Sequence, residues 1–165
     1  MAQDEYMPIR NWDHIEFYVG NAKQAAHYYA TTFGFTPIAY AGLETGVRDR
    51  ASYVLEQGKI RLVLTSALTG DSPISEHVAR HGDGVKDIAL EVPDAAKAYR
   101  QAIAAGARSA LEPTVTEDSF GQVRRSAIYT YGYLHHSAVC DPVNDDLFII
   151  HRRHLGLGKV PAEQP

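Results

Sequence analysis

The sequence predicts an α+β fold: two βαβββ modules forming a cupped, mixed sheet with helices on its outer face. Three observations carry that prediction. A strand-like run, a polar helix cap, a helix and a closing glycine occur near the start and recur 73 residues later. Further strand-like runs follow each set, so a duplication is the economical reading. A chain of 165 residues with 45% hydrophobic content is also enough to build one domain with a packed core.

The elements follow in order. Residues 1–10, polar and carrying Asp4 and Glu5, read as an N-terminal arm. His14 to Val19 alternates apolar and polar residues, as a half-buried strand does. Asn21 is a helix N-cap, Ala22 to Phe33 places Ala25, Ala26, Tyr28, Tyr29 and Phe33 at helical spacing, and Gly34 ends the helix. Strands are predicted at Thr36–Ala41, Ala51–Glu56 and Lys59–Thr65, with Gln57-Gly58 turning the last pair. Module one therefore spans about 11–66. Residues 67–83 are a connector, in which Ser72-Pro73 opens a short helix with serine as cap and proline in the first turn.

Module two, 84–151, repeats the grammar. Lys86 to Val92 is the strand, Asp94 the cap, Ala95 to Ala105 the helix and Gly106 its stop. Strand-like runs follow at Ala110–Glu112, Gln122–Tyr131 and His135–Cys140, with a further one at Asp146–His151. The Gly- and Pro-containing residues 152–165 read as a flexible tail.

Several function classes are excluded. The net charge is -4 and there is no basic stripe, so nucleic acid is not an expected partner. Apolar stretches are far short of a bilayer span, and the N-terminus lacks the basic-then-apolar order of a secretory signal. Cys140 is the single cysteine, which precludes an internal disulfide and points to a reducing cytoplasm. No phosphate loop or nucleophile elbow is present.

Longer phrases carry a resemblance. Asp13-His14-Ile15-Glu16-Phe17, the paired βαβββ modules and Gly84 to Val92 are similar to the vicinal oxygen chelate superfamily, which includes glyoxalase I, bleomycin-resistance proteins and extradiol dioxygenases. Within it, Val19 to Tyr29, Ala51 to Glu56, Arg61 to Ser66, His77 to Val85 and Ala127 to Gly132 resemble the amino-terminal half of the 4-hydroxyphenylpyruvate dioxygenase and hydroxymandelate synthase family. The likeness covers roughly residues 8–140 and is specific as a set. The segments Asp141 to Asp146 and His151 to His154 depart from the family pattern.

The resemblance implies a role. In that family two histidines and a glutamate of the carboxy-terminal half hold Fe(II), and the full enzyme decarboxylates an aromatic 2-oxo acid and hydroxylates its ring. This chain is then expected to be a non-catalytic N-terminal domain, without a cofactor of its own. Its implied partners are an aromatic 2-oxo acid or similar ligand, a second copy in a homodimer, or a C-terminal catalytic half. Superfamily ligand positions fall on His14, Val63, Asp87 and Phe148, and Val63 and Phe148 offer no donor atom. His14 and Asp87 are thus expected as vestigial metal positions, two where a non-haem iron site needs three. Two alternatives accompany this reading: a stand-alone dimeric small-molecule-binding protein of the bleomycin-resistance type, and a glyoxalase-like metalloenzyme.

The remaining candidates have plainer readings. His77 and His81, at i and i+4 on a helix, are expected on one solvated face. His135 and His136, adjacent in a strand, point to opposite faces. Cys140 is read as a buried, inert thiol. Most of the ten tyrosines fall at core spacing.

Overall fold

The computed structural model describes residues 7–118, 121–131 and 134–140. Their order is β1 (Asn11–Tyr18), α1 (Ala22–Phe33), β2 (Thr36–Ala41), β3 (Arg50–Gln57), β4 (Ile60–Ala67), α2 (Pro73–His81), β5 (Gly84–Glu91), α3 (Ala95–Ala104), β6 (Arg108–Asp118), β7 (Gly121–Tyr129) and β8 (His135–Cys140). The fold is α+β, and βαβββ occurs twice. Among the described residues the chain separates into two compact units, one holding His14–Lys86 and the other residues 7–13 with 87–140.

In the first unit, β2 pairs antiparallel with β3, β3 antiparallel with β4, and β4 parallel with β1. The parallel pair requires a crossover, which α1 supplies. Asn21 caps α1 by accepting from the Gln24 N–H, and Gly34 closes it at φ 75°, a left-handed conformation that glycine adopts without a Cβ penalty. The helix lays Ala22 and Ala26 on Leu55, Leu62 and Leu64, with Ile15, Phe17 and Tyr29 around them. Leu55 and Leu64 are fully buried, and each such side chain contributes about 1.5–3 kcal/mol. Ser72 caps α2, and Pro73 occupies its first turn.

The second unit repeats the pairing: β5 runs parallel with β8, and β8 and β6 flank β7 antiparallel. Asp94 caps α3 by accepting from the Ala96 and Lys97 N–H groups. Even single bonds recur between the units. The Val19 N–H donates to the Thr65 carbonyl at 2.9 Å, and the Val92 N–H to the Val139 carbonyl at 3.0 Å.

Strand β6 is much longer than Ala110–Glu112. It runs eleven residues through Pro113, with register shifts between Ser109 and Thr114. As an edge strand it tolerates a proline that a central strand would not. Tyr28 and Tyr131 lie on the surface rather than at core positions, at 53% and 87% exposure. The expected strand Asp146–His151 and the tail 152–165 lie outside the described residues.

Candidate functional site

Strand pleating decides which side chains could act. In the first unit α1 covers the face bearing Ile15, Phe17, Leu62 and Leu64. Alternation then puts His14 and Glu16 of β1, and Val63 and Thr65 of β4, on the opposite face. There the Thr65 hydroxyl donates to Glu16 Oε1 at 2.8 Å and lies 2.9 Å from the Ser52 hydroxyl. Because Thr65 has one proton and gives it to the carboxylate, Ser52 donates to Thr65. Both hydroxyls are buried. Four residues further along the same hairpin, Glu56 pairs with Arg61 at 2.8 Å. His14 is also buried, at 3% exposure, and Val63, beside Glu16 in the sheet, is buried and offers no donor atom.

In the second unit Asp87 takes the place that His14 holds in the first. Its carboxylate is buried and hydrogen-bonded: at 4% exposure, Oδ1 accepts the Ser137 N–H at 3.0 Å and Oδ2 the Ser137 hydroxyl at 2.6 Å. Register identifies Ser137 further. Glu16 stands beside Val63 in the β1–β4 pair, and Ala89 beside Ser137 in the β5–β8 pair. Strand β8 is thus the counterpart of β4, and Ser137, not Phe148, is the counterpart of Val63. Phe148 lies outside the described residues.

The donor set does not fit a resident iron. Among the described residues no three His, Cys, Asp or Glu side chains converge to hold a metal ion. Val63 and Ser137 supply none of the imidazole or carboxylate donors that an intermediate-hardness divalent ion takes, and the Asp87 oxygens are both engaged by Ser137.

The other candidates resolve individually. His77 is not on a solvated face: it is buried, edge-on to Tyr18 at 5.3 Å and to His81 at 5.1 Å. Burial first, then the charges of Lys86 and His81, lower its pKa and hold it neutral. His135 stacks edge-on against Tyr129, while His136 lines an apolar cleft beneath α3 with Met7, Tyr99 and Ile128, so the two do point apart. That cleft gathers no set of reactive groups. Cys140 is buried and accepts the Ala95 N–H at 3.3 Å. Sequence reading missed Ser52, Thr65 and Ser137, because only strand register reveals their partners. No helix among the described residues is long and apolar enough to cross a membrane.

The duplicated βαβββ units, each closing its first strand parallel against its last, define the class. Residues 13–122 match the family model of the Glyoxalase/Bleomycin resistance protein/Dioxygenase superfamily, and the chain belongs to that family. Its curated relatives narrow this further. The chain is 44% identical over 134 residues to 4-hydroxyphenylpyruvate dioxygenase of Yarrowia lipolytica, covering 79% of this chain and 34% of the relative. It is 47% identical over 133 residues to that of Dictyostelium discoideum, covering 79% and 36%. Among solved structures, a variant of 4-hydroxymandelate synthase from Streptomyces coelicolor superposes with a TM-score of 0.76 at 32% identity, over 82% of this chain and 39% of that one. The chain spans about a third of the length of the dioxygenases it matches. These relatives favour neither the bleomycin-resistance nor the glyoxalase-like alternative.

Proposed function

We propose that this chain serves as the N-terminal, non-catalytic domain of a protein resembling 4-hydroxyphenylpyruvate dioxygenase. The observation that carries the reading is the chemistry at the inherited ligand positions, where hydrophobic or internally bonded side chains stand. Val63 presents a hydrocarbon surface, and the Asp87 carboxylate ties β5 to β8 through Ser137. His14 and Asp87 are vestiges of ligand positions, retained for packing and hydrogen bonding. Match length supports the same view, since a third of the relatives leaves ample sequence for a separate catalytic half.

On this reading Fe(II) and the aromatic 2-oxo acid belong to that other half. The folded domain begins near residue 11 and takes in the described residues through 140. The domain works in the cytoplasm as scaffold and as an assembly surface, for the catalytic half or a second copy.

The test is a chimera of the Yarrowia lipolytica enzyme in which residues 8–140 of this chain replace the matched third. The expected result is an iron-loaded enzyme that turns over 4-hydroxyphenylpyruvate, with iron content unchanged by His14→Ala. Anaerobic titration of the isolated chain with Fe(II) or Co(II) is expected to show only weak surface binding. Tight, stoichiometric binding that His14→Ala abolishes would overturn the proposal.

A further inference from the structure

We propose that Met7 is an oxidation site and a latch: its thioether holds the N-terminal arm on the second unit, and conversion to the sulfoxide by a hydroperoxide releases it. Met7 is half-buried, so a small oxidant can reach it, and it packs on the cluster of Val92, Ala95, Ala98 and Cys140. The same side chain closes a wall of the apolar cleft beneath α3, between Tyr99 and Ala102 of the helix and Leu90 and Ile128 of the sheet. Among the described residues little else holds the arm. Pro8 has no N–H to give, Ile9 is 51% exposed, and the Arg10 N–H donates to the Glu91 carbonyl at 2.9 Å. From Asn11 the chain is already in β1.

Oxidation matters here because the hydrogen-bond donors around Met7 are already engaged. The Ser126 hydroxyl donates to the Ala95 carbonyl at 2.9 Å, and the Ser137 hydroxyl to Asp87 at 2.6 Å. The Ala95 N–H donates to the Cys140 sulfur at 3.3 Å. His136 Nδ1 stands 3.4 Å from the Ile88 carbonyl, which can only accept, so Nε2 of the neutral ring is an acceptor too. The Tyr99 hydroxyl is the lining donor that remains, on a side chain that also reaches solvent. A thioether needs no donor and suits this environment. In the oxidation a sulfur lone pair takes an oxygen of the peroxide, the O–O bond breaks, and water or an alcohol leaves. Sulfur gives up an electron pair and the peroxide gains it. The new S–O group is a strong acceptor that either stays buried without a donor, at a cost, or turns to water. Turning to water lifts the arm and opens the cleft where Met7 stood.

The experiment treats the full chain with hydrogen peroxide, maps the added oxygen by mass spectrometry and follows hydrogen exchange of the Arg10 amide. With Met7 as the sulfoxide, that amide is expected to exchange roughly tenfold faster or more, the population shift of a buried acceptor left unmet. The Val19 amide, bonded to the Thr65 carbonyl in the first unit, is the reference and should not change. Methionine sulfoxide reductase should restore the protection of Arg10. Met7→Leu keeps an apolar side chain of similar volume and should be indifferent to peroxide, although Met1 is still present. Met7→Gln, polar like the sulfoxide, should exchange fast without any oxidant. Cys140→Ala should respond to peroxide as wild type does, which separates the thioether from the neighbouring thiol. The proposal is overturned if Met7 stays unoxidised where free methionine is fully oxidised, or if Arg10 keeps its protection once Met7 is oxidised. It is overturned equally if the response survives in Met7→Leu or vanishes in Cys140→Ala.

Discussion

Asp87 and Ser137 stand side by side on the parallel strands β5 and β8, fifty residues apart in the chain, and a single carboxylate takes both the amide and the hydroxyl proton of the serine. In the other unit the matching places hold His14 on β1 and Val63 on β4, where no such clasp can form. The duplication has therefore kept its backbone pattern while the side chains at these matched places have diverged in chemistry.

The clasp should be measurable. Asp87→Ala leaves a buried N–H and a buried hydroxyl without their acceptor and is expected to cost about 2–3 kcal/mol. Asp87→Asn keeps one acceptor for the amide and should cost clearly less. Urea denaturation of the two variants gives the comparison: equal losses would show that the acceptor asparagine retains contributes nothing, and a neutral Asp87→Asn would show that Asp87 matters by volume alone.

A second prediction concerns the Ser52–Thr65–Glu16 chain in the first unit. Thr65→Val preserves shape but removes the bond that Ser52 and Glu16 each make to the hydroxyl. Thr65 is 1% exposed, so water cannot readily replace it, and a loss of about 1–2 kcal/mol is expected. Thr65→Ser keeps the hydroxyl and should recover much of that difference. The comparison is made from denaturant midpoints.

Much of this architecture is legible in the sequence, because its signals are local. Asn21 and Asp94 cap α1 and α3 as read, since an Asx residue before an apolar periodic run is a short-range cue. The full length of strand β6 is hidden for an equally local reason, since Pro113 and the acidic residues around it have the composition of a turn, which only an edge strand accommodates. The roles of Ser137 and Thr65 are not local at all. Each depends on a partner about fifty residues away and on the register of a parallel pair, which no single-chain periodicity fixes. The burial of His77 is hidden on the same ground. Its spacing to His81 is visible, but the Tyr18 ring that covers it comes from β1.

His77 gives a prediction with a defined sign. Burial, then Lys86 and His81, lower its pKa in the folded chain, while Tyr18 packs on its edge without charge. The unfolded chain, with an ordinary value near about 6.5, therefore binds the proton more readily. This contribution to stability is fully present above that value and is lost as pH falls through it toward the folded value. Urea midpoints measured downward from neutral pH should decline more steeply in wild type than in His77→Gln. Parallel curves would remove His77 as the cause.

The last prediction tests a close approach rather than a hydrogen bond. Gly42 has an extended backbone, φ 174°, so any residue could adopt its conformation. Space is what excludes a side chain: a Cβ there would overlap the Tyr40 hydroxyl and the ring carbons next to it. Tyr40 cannot easily yield, because it is buried, packs on Tyr53 at 4.8 Å between centroids, and donates to Glu44 at 2.7 Å. Gly42→Ala must therefore displace the ring, and overpacking of this kind costs about 1–3 kcal/mol. Tyr40→Phe in the same background removes the hydroxyl but not the overlapping ring carbons, so it should relieve only part of the strain. Tyr40→Ala should relieve nearly all of it, at its own cost in packing. A double-mutant cycle by denaturation is expected to show Gly42→Ala nearly neutral when residue 40 is alanine, and a full penalty persisting there would place the clash elsewhere.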